Sequence, residues 1–380
     1  MPITRDLAII LGLCPCKADP WTTHKAIIMV LTRKHSNLAE LIVASAAVIL
    51  LCPLLFSGCG GSTEAKESVQ SRANLDALLK KGIRPNELGM VMVLEYHRVK
   101  PTEGDFQRSI DNFKKDLQTL YQKNYRLISF NDLMTGNIGV PAGTTPIVFS
   151  FDDSTESQFR YIPQGSGTTI DPECALGMMQ AFQKQHNDFG CTALFNVLPA
   201  MFEQEKYKDQ KLTYLVKNGY DIGNHTESHG NLAKLSDDKV QADIANQQKN
   251  IVSIDPKTSV SVLCLPYGEE PQNKALMFNG SSAGTSYHYD WSLLVGSNPF
   301  YPMYHYKNPG QIIPRVQVMD YNSISGSGAD GSGYWLRYFD RHPELRFVSD
   351  GNSKTVCAPA YMQTRVLENK LPKGVQFLGY

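Results

Sequence analysis

Between Met90 and Val318, short apolar runs alternate with helix-spaced segments, which predicts an α/β fold built on a mainly parallel sheet or barrel. The run Ile147-Val-Phe-Ser-Phe151 is apolar on both faces, as a strand buried on both sides requires. The polar residues that could carry chemistry fall at one end of such strands: His97, Asp152, Asp153, His225 and the turn Pro266-Tyr267-Gly268. Sites in parallel α/β folds gather at the C-terminal strand ends, and scattered core polars would not share one. With 380 residues, 42% of them hydrophobic, the chain suits one large domain with appendages.

The elements follow in order. Residues 1–28 look foreign to what comes next, and Met29 is the expected start. Residues 29–59 have the layout of an export signal: Arg33, Lys34 and His35, an apolar run from Leu41 to Phe56, then Ser57-Gly58-Cys59. An uncleaved membrane anchor is the alternative, but the run is slightly short for a spanning helix. Residues 60–86 read as a polar linker with one helix around Leu75 to Lys81. The domain is expected over 87–355, with a tail, 356–380, packed on it.

Within the domain, Met90–His97 is the first strand. Ser109–Asn124 is a helix, with Ile110, Phe113, Leu117, Leu120 and Tyr121 at helical spacing. Asn131–Gly136 is a short capped turn of helix. Residues 154–175 read as an extended loop. Helices are expected at Met178–His186, Tyr207–Lys217 and Asp237–Ile254, and strands at Cys191–Val197, Tyr220–Asn224 and Val260–Leu265. Gln311–Val318 reads as a last strand, Ser323–Gly333 as a Gly/Ser-rich loop, and Tyr334–Asp340 as an aromatic helix.

Lys plus Arg and Asp plus Glu each number 37, so no basic field calls for nucleic acid. A monomer is expected. Beyond the expected signal and its Cys59, four cysteines remain: Cys174, Cys191, Cys264 and Cys357. In an oxidising compartment they could form up to two disulfides, with the pairing open.

One aspartate and two histidines, from Asp152-Asp153 and His225-Thr-Glu-Ser-His229, could close three positions of a divalent-metal site and leave the other aspartate as a base. The bland alternative is that both aspartates cap the next helix. If His225 and His229 lie on one helical turn, they share a face. Glu227 between them faces solvent, and Glu95 and Arg98 beside His97 form a plain ion pair.

Phe151-Asp-Asp-Ser154, His225-Thr-Glu-Ser-His229 and Leu265-Pro-Tyr-Gly268, in that order, resemble the polysaccharide deacetylases, the NodB-homology domain of carbohydrate esterase family four. Tyr96-His97-Arg98 resembles the poly-N-acetylglucosamine deacetylase branch, whose motif order is circularly shifted. The resemblance covers roughly Gly89 to Asp350. It implies a distorted (β/α) barrel of the NodB-homology type. It also implies a metal held by Asp153, His225 and His229, zinc first, with cobalt, nickel, manganese or iron as alternatives. Asp152 would be the general base and His97 the general acid, with His288 and His305 as rivals for the acid. The backbone N–H of Tyr267, after Pro266, would meet the oxyanion. A cation that binds both the amide oxygen and the attacking water lowers the barrier to amide hydrolysis twice over.

Leu55-Phe-Ser-Gly-Cys59 resembles a lipobox, which implies lipidation at Cys59 and a location outside the bacterial cytoplasmic membrane. The substrate implied is N-acetylated polysaccharide, either peptidoglycan or poly-N-acetylglucosamine. A non-catalytic glycan-binding lipoprotein and an O-acetyl esterase are the competing readings. Two positions depart from the family pattern. Cys264 stands where an arginine often orients the catalytic aspartate, so either another cation such as Arg315 supplies the charge or the base is poorly tuned. Ser154 stands where glycine is usual. Trp335 is a candidate sugar platform.

Overall fold

A computed structural model describes residues 61–318 and 331–380. The expected export signal, Cys59 and most of the Gly/Ser-rich loop lie outside these residues. Val69–Tyr380 forms one compact unit. Among the described residues, no helix is long and apolar enough to cross a membrane.

Helix α1 (Gly61–Lys80) leads to strand β1 (Met92–Tyr96), the short paired segments β2 (Arg98–Lys100) and β3 (Gln107–Ser109), and α2 (Ile110–Gln122). Next come β4 (Tyr125–Leu127), α3 (Phe130–Thr135) and β5 (Thr145–Phe151). A hairpin, β6 (Tyr161–Gln164) and β7 (Gly167–Ile170), precedes α4 (Ala175–Gln185), β8 (Leu194–Val197), α5 (Lys208–Lys217) and β9 (Asp221–Asn224). The chain continues through α6 (Asp237–Ile254), β10 (Val262–Cys264), the hairpin β11 (Asn279–Ser282) and β12 (Thr285–His288), and β13 (Trp291–Leu293). It ends with β14 (Ile312–Ile313), β15 (Val316–Gln317), α7 (Ser332–Arg341), β16 (Thr355–Ala358) and β17 (Gln376–Gly379). Serine caps open the early helices: the Ser109 hydroxyl accepts from Asn112 N at 3.1 Å, and Ser129 does the same for Asp132 N at 2.9 Å.

The main sheet runs β14-β13-β10-β9-β8-β5-β1-β15, with β4 also on β5. Every strand pairing in it is parallel. Its two ends are one stretch of chain. Ile312–Ile313 pairs with β13, and two residues later Val316–Gln317 pairs with β1. The expected last strand over 311–318 is therefore two short bridges, split at Pro314-Arg315, that close the sheet into a distorted (β/α) barrel. Proline has no N–H to give a ladder, so the break falls where pairing must stop.

The strand pleat sorts the core into two clusters. Met92, Leu94, Ile147, Phe149, Phe151, Phe195, Val197 and Leu263 pack outward under the helices. Val93, Val148, Leu194, Val262, Leu293 and Ile313 pack together on the other face, inside the barrel. One step further along the inward face, the residues turn polar: Glu95, Ser150 and Asp152, Asn196, and Arg315, with Cys264 beside them, all buried.

Other expectations need correction. The stretch read as a loop over 154–175 contains the β6–β7 hairpin. The stretch read as a linker is helical from Gly61 to Lys80, and its end packs on the domain: Leu75 is buried with Cys357 and Leu378. The tail adds the parallel pair β16–β17. None of Cys174, Cys191, Cys264 and Cys357 is disulfide-bonded.

Because Leu75 is docked, Leu75→Ala should lower stability in urea denaturation by about 2–3 kcal/mol. Val69→Ala, at a position 70% exposed on the same helix, should change it by less than about 0.5 kcal/mol.

Candidate active site

Asp152 follows β5 directly and is 1% exposed. Arg315 reaches it from the closing segment: Nη1 donates to Oδ1 at 2.7 Å and Nη2 to Oδ2 at 2.8 Å. Asn196 Nδ2 donates to Oδ1 at 2.7 Å, and the Cys264 thiol lies 3.4 and 3.5 Å from the two oxygens. Arg315 is itself fully buried and is held by Leu294 O at 2.9 Å and Ser150 Oγ at 3.0 Å. A bidentate guanidinium fixes a carboxylate in both position and plane. The cation missing at Cys264 is thus supplied by Arg315. Asn196 had no sequence signal beyond its inward register on β8. The close approach of β9 behind it needs Gly223, where a Cβ would sit 2.1 Å from Asn196 Oδ1.

Burial alone would raise the Asp152 pKa, but the charge and hydrogen bonds of Arg315 hold it well below the usual carboxylate range. Glu95 shares the same guanidinium, 3.2 Å from Nη2. Burial pushes its carboxyl up to about 7, against the pull of Arg315. One cation cannot neutralise two carboxylates, so Glu95 keeps its proton up to about pH 7 while Asp152 keeps the charge. The expected Glu95–Arg98 pair does not form: Glu95 is committed to Arg315, and Arg98 is exposed.

Asp153 points the other way. Its backbone is left-handed, φ 71°, as is that of Ser154, φ 44°. The Ser154 hydroxyl accepts from Leu198 N at 3.1 Å, an anchor that glycine could not provide. Asp153 Oδ1 lies 3.6 Å from His225 Nε2 and 3.4 Å from His229 Nε2.

The two histidines sit on a loop rather than a helical turn, with Thr226 and His229 at φ 66° and 52°. That loop is pinned from α6, where Asp243 Oδ1 accepts from Glu227 N at 2.9 Å and Ser228 N at 2.7 Å. Glu227 is exposed, as expected. His225 Nδ1 pairs with Cys264 O at 2.9 Å, which sets the tautomer with Nε2 free to bind a cation.

Asp153, His225 and His229 offer ligand atoms that converge within 4.8 Å of one another. Burial opposes a charge on His225, yet the polar groups around it, Cys264 and the aspartates, raise its pKa well above the ordinary value. The site stabilises positive charge, and its donor set of one carboxylate and two imidazoles fits a divalent ion.

His97 lies across from this trio. Its Nε2 is 3.9 Å from Asp152 Oδ2, and its Nδ1 is 3.9 Å from Glu95 Oε1. Burial keeps its pKa below the ordinary value despite both aspartates. The rivals are elsewhere. His288 is exposed and pairs with Asn279 and Asp290. His305 stacks between Tyr301 and Tyr306 against the C-terminal segment. Pro266 is buried, and Tyr267 is exposed at φ 62°, its ring 4.9 Å from that of His229. Around that turn, Gly268 N donates to Leu265 O and Glu269 N to Pro266 O. Trp335 donates to Ser297 O at 2.6 Å and packs among Tyr334, Tyr338 and Phe339, which ties it to the fold.

Arg315→Met should lower stability by about 3–5 kcal/mol in urea at pH 7, because it leaves a buried carboxylate unpaired. Glu95→Gln tests the proton assignment. A carboxyl raised in the folded state costs stability as pH climbs from the unfolded value of about 4.3 to about 7, and no further above that. The variant lacks that loss, so its stability relative to wild type should improve across this window by up to about 4 kcal/mol.

A family model described as polysaccharide deacetylase matches residues 180–287. No curated protein matches the chain. Several solved structures are similar. One is the deacetylase PplD of Streptococcus pyogenes in complex with acetate, at 14% identity and TM-score 0.45, over 60% of this chain and 92% of that one. IcaB from Ammonifex degensii is 19% identical at TM-score 0.42, over 63% and 96%. A de-N-acetylase from Aggregatibacter actinomycetemcomitans is 14% identical at TM-score 0.40, over 59% and 93%. The matched segment carries both loop histidines and the Pro-Tyr-Gly turn, and through it the chain is recognised as similar to the polysaccharide deacetylases.

Proposed function

We propose that this chain is a metal-dependent hydrolase that removes acetyl groups from N-acetylglucosamine-containing polysaccharide outside the cytoplasm, tethered through Cys59. The family match supports deacetylation of polysaccharide at the coarser level. The observation that carries the finer reading is the pairing of two environments at one barrel mouth. Asp153, His225 and His229 converge on one point, and Asp152 is locked in its charged form beside them.

Asp153, His225 and His229 would hold the ion. When bound, it would act as a Lewis acid on the acetyl carbonyl and make water acidic enough to react. Asp152, ionised at every physiological pH, accepts the proton of the attacking water. Arg315 and Asn196 keep its plane fixed while it does so. Burial disfavours the charged form of His97, so it takes up a proton before it gives one to the departing amine. Its Nε2 faces Asp152 Oδ2 at 3.9 Å, too far for direct transfer, so the proton taken from water would reach the imidazole through one bridging water. The N–H of Tyr267, on the turn beside His229, would meet the oxyanion.

Acetate release from N-acetylglucosamine oligomers tests this. Chelation should abolish it, and zinc or cobalt should restore it. Asp152→Asn should lower kcat by about 100-fold or more with metal content unchanged. Stoichiometric metal with no acetate from any glycan would replace this reading with a glycan-binding protein.

A further inference from the structure

Phe106 belongs to no motif, and its position is unusual. It is 59% exposed, in a left-handed backbone at φ 51°. A bulky side chain in that region is strained, and strain held in an otherwise ordered segment points to use. The segment is firmly braced. Glu103 accepts from Ser109 N, Asn112 Nδ2 and Arg108 Nη1, each at 2.8 Å. Gln107 Nε2 donates to Thr102 O at 2.7 Å, and Arg98 N to Phe106 O at 3.2 Å. The exposed ring is therefore preorganised, and it meets the His97 ring edge-on at 4.9 Å.

Tyr267 matches it on the other side: 61% exposed, left-handed, and edge-on to His229. In the sheet order, β1, which precedes His97 and Phe106, and β10, which precedes Tyr267, have at least two strands between them along either path round the closed sheet. The two rings thus stand on opposite sides of the barrel mouth, each against one of the site histidines.

We propose that Phe106 is a substrate-binding wall that stacks on the apolar face of a pyranose ring, with Tyr267 as the facing wall. A sugar with equatorial substituents presents axial C–H bonds on both faces. These suit the electron-rich faces of aromatic rings, while the sugar's hydroxyls stay in water. The substrate class is a β-linked, gluco-configured N-acetylhexosamine chain. An axial hydroxyl would lift the sugar from one ring. This inference rests on the deacetylase reading for its occupant, but not for the two exposed rings.

Steady-state acetate release by the full metal-loaded chain provides the test. Phe106→Ala should raise KM for N-acetylglucosamine oligomers about tenfold and leave kcat near wild type, the effect of losing one buried aromatic contact. Phe106→Trp should restore KM, and Phe106→Leu, which lacks a flat face, should not. The thermal midpoint of Phe106→Ala should not fall, since the ring packs no core. An unchanged KM, rescue by leucine as complete as by tryptophan, or a destabilised alanine variant would each overturn the proposal. If the wild type releases no acetate, the function above fails separately. The stacking is then read by calorimetric binding of the same oligomers, where equal affinity of wild type and Phe106→Ala, or no binding by either, overturns it.

Discussion

The pair between Arg315 and Asp152 is the interaction on which the rest depends. Neither charge could be buried alone in the barrel. A guanidinium or carboxylate taken from water without a partner costs several kcal/mol. Each holds the other in place, and the polar groups around them, Asn196, Ser150, Glu95 and Cys264, complete the layer. The pair also ties together the two ends of the sheet. Arg315 sits between the bridges to β13 and β1, so sheet closure and fixation of Asp152 are one structural event.

That coupling explains how a cysteine can occupy position 264. The inward positions near the mouth of β5, β8, β10 and the closing segment all surround one carboxylate, and any of them could deliver the cation. Here it comes from the closing segment, and β10 supplies a small thiol whose pKa is raised by burial, so it stays neutral. An arginine on β10 as well would crowd a second cation into a space already filled by Arg315.

Much of this was legible in the sequence because it follows a period. The inward set Val93-Glu95-His97 and Val148-Ser150-Asp152 changes from apolar to polar at matching heights, and β1 and β5 pair in that register. The histidine spacing and the Pro-Tyr-Gly turn were equally plain. Closure of the sheet was not, because Ile312-Ile313 and Val316-Gln317 read as one apolar strand, and only tertiary pairing shows that they face different neighbours. The helical course of 61–80 was hidden for a similar reason: a polar segment with a few apolar residues betrays its docking partner, Leu378, only from the far end of the chain. Asn196 carried no signal, since an asparagine in a short strand looks the same whether it faces a carboxylate or solvent.

Backbone conformation was the other hidden layer, and it is concentrated where chemistry is expected. Phe106, Asp153, Ser154, Thr226, His229 and Tyr267 all have positive φ, and all lie at the barrel mouth. Such residues cost about 1–3 kcal/mol each and persist only where surrounding contacts over-determine them. The contacts are identifiable: Ser154 Oγ on Leu198 N, Thr226 N on Asn224 Oδ1 at 2.7 Å, and His229 N on Thr226 Oγ1 at 3.1 Å. An ideal barrel would continue each strand straight into its helix and point these side chains along the surface. Extended backbone would send the Asp153 side chain outward under the helices, and the left-handed step instead keeps it at the mouth, where the two adjacent carboxylates serve different partners. A single strand end thereby holds two adjacent carboxylates in different settings, one on a buried guanidinium and the other beside two imidazoles.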